Sequence, residues 1–194
     1  MGEMDGLSVT ACERCPDLCA SRSRIVNGVG PADADLLFVG EAPGEREDAE
    51  GEPFVGRSGD VLDEALRENG LGRADVRITN CVRCRPPENR DPRTGELDNC
   101  RGYLETEIER VGPETVVTLG KVPAEHLLGR SVGITSEAGD VRQVEIAGAT
   151  RGVLLSVHPA ATLYDRSQRE TFERAIEKAA TTVGSGDQTT FGEF

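Results

Sequence analysis

Four short apolar runs set the terms for this chain: Leu36–Val39, Val76–Thr79, Thr115–Leu119 and Val153–Val157. Each has the length and composition of a buried strand. Between them lie segments with helical spacing. In the helix that opens at Ser58, Val61, Leu62, Ala65 and Leu66 share one face, and Ser58 reads as its N-cap. Further helices are predicted over Leu97–Val111, Val122–Leu128 and Gln168–Val183. Strands alternating with helices predict a parallel sheet covered on both faces. The expected class is therefore α/β, a three-layer α/β/α sandwich around a mainly parallel four-stranded sheet. Residues 131–151 read as a glycine-punctuated hairpin, from the alternation in Val141–Ile146.

A chain of 194 residues suits one domain with a real core, expected over residues 1–183, followed by a polar, flexible tail over 184–194. No apolar run approaches a membrane span, and MGEMDGLSVTACERC lacks the basic start and apolar centre of a signal peptide. A soluble, cytoplasmic monomer is expected. Net charge is −13, and of the 22 basic residues only Lys121 and Lys178 are lysine. This acid-rich, lysine-poor balance reads as a protein from a source living in concentrated salt. On charge alone, nucleic acid is a disfavoured partner.

In such sheets, ligands bind beyond the carboxyl ends of the strands. Those ends carry Glu41 and Ala42, Asn80, Gly120 and His158. A carboxylate, an amide and an imidazole are thus expected on one rim. The turn after the first strand, Gly40-Glu41-Ala42-Pro43-Gly44, continues through Glu45, Glu47 and Asp48 to Pro53-Phe54. Taken alone, it reads as a solvated acidic loop.

The cysteines form a second group. Cys12-x-x-Cys15 is a metal-ligand spacing, and fifteen residues separate Cys84 from Cys100. One close pair with two scattered partners suits an iron–sulfur cluster at least as well as zinc. Cys19 and Cys81 read as small buried thiols, and His126, inside a helix, as a structural histidine.

Taken together, these stretches resemble family 4 uracil-DNA glycosylases, the iron–sulfur class. The first motif is Gly40-Glu41-Ala42-Pro43-Gly44, then Glu47-Asp48 and Pro53-Phe54-Val55-Gly56. The middle one is Ile78-Thr79-Asn80 with Cys84-Arg85-Pro86-Pro87, and the last is His158-Pro159-Ala160-Ala161 with Leu163. The resemblance spans roughly residues 12–183 and implies a 4Fe–4S cluster on Cys12, Cys15, Cys84 and Cys100.

It also implies a chemistry that the side chains can carry. A uracil must be flipped out of the DNA stack before its glycosidic bond is reached. Phe54 offers a face for the flipped base. Asn80 can accept from uracil N3–H and donate to O4, a pattern that cytosine reverses. Glu47 is implied to wall off C5 and reject thymine. His158 can donate to the charge developing on O2, with help from backbone N–H groups near Glu41 and Ala42. In related families the place of Ala42 holds a water-orienting side chain, so Glu41 becomes the candidate base, with Asn89 behind it. Arg83, Arg85, Arg90 and Arg93 crowd one loop and are expected to meet phosphates, unless salt pairing takes them. Leu163 is expected to wedge into the stack. The loop from Cys84 to Asn99 holds no histidine that could trap the product covalently. The rival class is an iron–sulfur redox or electron-transfer protein, which would leave Phe54, Asn80 and His158 unexplained. In the tail, Gln188, Phe191 and Phe194 lie three apart, a spacing that resembles a sliding-clamp-binding peptide.

Overall fold

The computed structural model describes residues 2–183, so Met1 and the stretch 184–194 with Gln188, Phe191 and Phe194 lie outside the described residues. The N-terminal segment folds into two strands that no apolar run foreshadows. Strands β1 (Gly2–Asp5) and β2 (Ser8–Cys12) form a small antiparallel hairpin, which delivers Cys12 to the domain. Helix α1 (Pro16–Ser21) follows directly, with Cys15 at its N-cap and Pro16 at its first position, where a missing N–H does no harm.

Strand β3 (Leu36–Gly40) is buried along its whole length, as its unbroken apolar run demands. Two helices come next, α2 (Glu45–Glu50) and α3 (Arg57–Glu68). Gly56, not Ser58, caps α3; the helix starts one residue earlier than expected and Ser58 sits in its first turn. Strand β4 (Arg77–Asn80) leads through a loop to α4 (Thr94–Val111). This helix starts three residues before Leu97 because the Glu96 carboxylate accepts the Arg93 N–H at 2.8 Å and so closes its first turn. Strand β5 (Thr115–Leu119), α5 (Lys121–Leu128) and the single turn α6 (Ile134–Glu137) follow. Strands β6 (Val141–Ile146) and β7 (Ala149–Ser156) and helix α7 (Arg166–Val183) complete the described chain.

Among the described residues the main sheet has five strands in the order β4-β3-β5-β7-β6. Strand β3 is parallel to β4 and β5, and β5 is parallel to β7. The expected number was four. The alternating segment Val141–Ile146 pairs antiparallel with β7 and becomes the fifth, edge strand. Its partner was underestimated, because β7 starts at Ala149, before the apolar run, where its side chains still alternate with solvent. The turn between them places Ala147 and Gly148 at φ 50° and 77°, so only residue 148 has the glycine that this geometry favours.

The core lies in two layers, one on each sheet face. Leu37, Val39, Val116, Val153 and Leu155 meet Leu104 and Ile108 of α4 and Leu127 of α5. Phe38, Val117 and Leu154 meet Leu62 and Leu66 of α3 and Phe172 and Ile176 of α7. Adjacent strand residues point to opposite faces, which makes three layers. Each such side chain contributes about 1.5–3 kcal/mol on full burial. The carboxyl ends of β3, β4, β5 and β7 therefore stand on a rigid frame.

Candidate active site

Beyond those strand ends lies a cavity of about 330 Å³. Glu41, Ala42, Glu47, Phe54, Asn80 and His158, the six residues expected to meet the base, all line it. Ser58, Asn89 and Arg90 line it too. Its floor is set by pairing that continues past the strands: Cys81 donates its N–H to the Gly40 carbonyl at 2.9 Å and Val82 to that of Glu41 at 3.0 Å.

Gly40 is what lets two of these groups approach each other. A Cβ there would lie 2.6 Å from the Phe54 ring and run into Asn80 Oδ1. Asn80 is 3 % exposed, and among the described residues its amide enters no hydrogen bond. A buried amide in that state is a ready partner for a ligand with matching donor and acceptor. The Phe54 ring lies 5.9 Å from the His158 ring, centroid to centroid, with the planes tilted by 31°.

His158 follows β7 and caps the 3₁₀ turn Pro159–Leu163. Its Nδ1 accepts the Ala160 N–H at 3.1 Å. Burial lowers its pKa to about 4, because the charged form is poorly solvated there. At neutral pH the ring is therefore uncharged, and with Nδ1 occupied as an acceptor its proton sits on Nε2. Gly120, at φ 110°, gives the imidazole room: a Cβ there would stand 3.2 Å from that of His158.

Glu41 has the opposite shift. Burial first, then the charge of Asp91 and a hydrogen bond with it, raise its pKa to about 7. Its carboxyl is thus poised to change protonation near neutrality. Asp91 carried no signal in the sequence, since it reaches Glu41 only through the fold of its loop. Glu47 spends one oxygen on its own turn, accepting the Gly44 N–H at 3.1 Å.

The arginine loop needs a correction. Arg83 is 1 % exposed and forms an ion pair with Glu107, which also accepts from Arg77 Nε at 2.8 Å. A phosphate cannot reach it. Arg83 instead joins the loop after β4 to α4 inside the core. Arg85 pairs with Asn89 at 2.8 Å, Arg90 binds both Glu96 oxygens at 2.8 and 2.6 Å, and Arg93 meets Asp17 at 2.6 Å. Salt pairing thus holds Arg90 and Arg93, while Arg85 stands 4.0 Å from the nearest carboxylate, Glu45; all three keep surface exposure. Leu163 is half-buried at the end of its turn, whereas the next residue, Tyr164, is 83 % exposed. An aromatic ring in that position was missed because nothing in its sequence context marks it.

The cysteines converge as well. Cys15, Cys84 and Cys100 are buried in one core layer, with Cys12 packed against it. Arg22 ties the group together: Nη1 donates to Cys84 Sγ at 2.9 Å and Nη2 to the Cys12 carbonyl at 2.7 Å. Asn99 Nδ2 donates to Cys15 Sγ at 3.4 Å. Burial raises the Cys84 thiol to about 11, while Arg22 pulls the other way. Among the described residues no three of these side chains close around a single ion. Four thiols brought together from three segments, with N–H donors aimed at Cys84 and Cys15, are a donor set that fits a thiolate-bound metal group. Cys19 turns to the Cys12 carbonyl at 3.5 Å, and Cys81 is fully buried beside Glu41 with its pKa driven up mainly by that burial.

A three-layer α/β fold with a cavity at the carboxyl edge of its sheet, lined by these groups, has a family. The chain belongs to the uracil DNA glycosylase superfamily, whose sequence model matches residues 27–180. Its curated relatives narrow this to the Type-4 uracil-DNA glycosylases. The one from Archaeoglobus fulgidus is 40% identical, over 94% of each chain. That of Saccharolobus solfataricus is 38% identical over 94% of this chain and 88% of its own, and that of Thermotoga maritima 41% over 88% of each. These comparisons give no support to a redox protein without glycosylase activity.

Proposed function

We infer that this chain is a DNA-repair hydrolase that excises uracil from DNA by breaking its N-glycosidic bond. The observation that carries this is the convergence of the unpaired Asn80 amide, the Phe54 ring and a neutral His158 in one cavity. In this reading the flipped base stacks on Phe54. Asn80 accepts from N3–H and donates to O4, and Glu47 stands against C5. As the bond lengthens, negative charge grows on uracil O2, and the Nε2–H of His158 donates to it. A neutral donor stabilises that charge without handing over its proton early. Glu41 is the group suited to take a proton from the attacking water. Arg85, Arg90, Leu163 and Tyr164 are suited to hold the opened duplex around the cavity.

Cys12, Cys15, Cys84 and Cys100 would hold a 4Fe–4S cluster, which would cross-link the N-terminal hairpin, the arginine loop and α4. Arg22, as donor to sulfur, supports that assignment. The lysine-poor surface supports a working medium of concentrated salt. The spacing of Gln188, Phe191 and Phe194 supports a sliding-clamp anchor.

The direct test is release of free uracil from a single-uracil oligonucleotide across a range of salt. Release with an intact, alkali-labile abasic strand is the expected result; a cleaved backbone or no release would contradict it.

A pH experiment addresses Glu41. As a base it works ionised, so kcat/KM is expected to rise as pH passes through about 7. Glu41→Gln should remove that rise. Stability should move the other way. The folded-state pKa lies above the usual 4.5, so the stability linked to the neutral carboxyl is present below 4.5 and is lost as pH rises through about 7. Glu41→Gln is therefore expected to melt higher than the parent above pH 7 while turning over less. Thermal melts and initial rates at matched pH check both signs.

A further inference from the structure

Phe54 stands in a conformation that its side chain does not favour. Its φ is 56°, in the left-handed region, which a residue with a Cβ occupies only when its surroundings hold it there. The preceding residue is proline and the ring is 5 % exposed, so the strain is held by the surroundings. Three contacts do this, and all come from outside the cavity. Arg73, in the connection between α3 and β4, donates Nη1 to the Pro53 carbonyl at 3.1 Å and Nη2 to the Phe54 carbonyl. Its Nε is fixed by Asp63 Oδ1 of α3 at 2.8 Å. Gly59 of α3 lies close against the same carbonyl, where a Cβ would run into it. The carbonyl is thus fixed by a close helix backbone and a guanidinium, with the ring against Gly40 and beside His158.

We propose that Arg73, braced by Asp63, is a positioning residue for uracil excision: it locks the strained Phe54 backbone so that the ring stays where the flipped base stacks. This rests on the glycosylase reading above. Arg73 is absent from the cavity lining, and its donors are turned to Asp63 and the two carbonyls. It is therefore not one of the phosphate contacts. Without it, the residue 54 backbone relaxes toward ordinary φ and the ring leaves Gly40.

The test is a double-mutant cycle of Arg73→Gln and Phe54→Ala on a single-uracil oligonucleotide, with Arg73→Lys as the conservative variant. Arg73→Gln is expected to lower kcat about 10- to 100-fold, the effect of roughly 1 Å of misplacement, with KM within about threefold. Arg73→Lys, which can still serve one carbonyl, should recover part of the loss. In the Phe54→Ala background the same change should cost less than about threefold. Equal losses in both backgrounds would overturn the proposal. A second measurement needs no turnover: the ring-current shift that Phe54 imposes on the His158 imidazole protons. It should vanish in Phe54→Ala and move toward that value in Arg73→Gln; unchanged signals in Arg73→Gln would sink the idea whatever the rates. Failure of the parent enzyme to release uracil would instead count against the glycosylase reading, and the imidazole signals would still decide the role of Arg73.

Discussion

His158→Ala is expected to lower kcat by about 10²- to 10³-fold, the range seen when one donor to a developing oxyanion is removed. KM for a uracil-containing duplex should stay within about threefold. The split follows from where the ring sits. It is uncharged, its Nδ1 is taken by the Ala160 N–H, and its single remaining proton is on Nε2. In the ground state uracil O2 is a weak acceptor and gains little from this donor. Only as the base departs with its charge does the hydrogen bond strengthen, so its loss appears in the rate. Single-turnover cleavage and equilibrium binding to the same oligonucleotide separate the two effects. Losses of equal size in binding and rate would mean that the imidazole serves as packing beside Phe54. The depressed pKa adds a stability signature. Protonation is favoured in the unfolded chain, so stability linked to His158 is present above pH about 6.5 and is lost as pH falls through about 4. The alanine variant should lack that acid-side loss.

The second large effect is expected from Cys84→Ala, which should strip iron and sulfide from the purified protein along with its colour. Cys19→Ala and Cys81→Ala should keep all three. Cys84 sits one residue from Arg83, whose pairing with Glu107 fixes the same loop to the helix that carries Cys100. Losing the cluster would leave the N-terminal hairpin held by protein contacts alone, among them Arg22, the two hydrogen bonds between Val9 and Asn27, and Arg110 on the Gly6 carbonyl. A group that binds only the folded chain adds to its stability, so the variant is expected to melt below the parent. Iron and sulfide analysis with a thermal melt checks both. Full iron loading in Cys84→Ala would remove that cysteine from the ligand set.

Much of the site was legible because strand ends are legible. Thr115–Leu119 matches β5 residue for residue, and once the alternation of strands and helices is accepted, Glu41, Asn80 and His158 must fall on one rim. What stayed hidden depends on partners far along the chain. Arg83 looks like its neighbours Arg85 and Arg90 until Glu107, twenty-four residues away, draws it inside. Arg73 shows nothing in sequence, because its role comes from two backbone carbonyls and a bend in φ. The β1–β2 hairpin is short, with strands of four and five residues, and its second strand ends at Cys12, whose spacing to Cys15 signals a metal ligand rather than a strand. Val141–Ile146 had the right period, but its place in the sheet depends on how early β7 begins.

That fifth strand bears on how the molecule behaves in a crowd of its own copies. An open parallel sheet has two free margins, each a row of unpaired N–H and C=O groups that can recruit a stranger. On the β4 side, Val29 bridges to Ile78 in both directions at 2.9 Å, so the chain covers part of this margin itself. On the other side β6 stands outermost, with Arg142 and Glu145 along it and Val141 as its one large exposed apolar group. Charged side chains on an outer strand make a second strand's approach unfavourable. The hairpin that looks peripheral to catalysis thus acts as a selvedge, a finished edge that keeps one sheet from being sewn to the next.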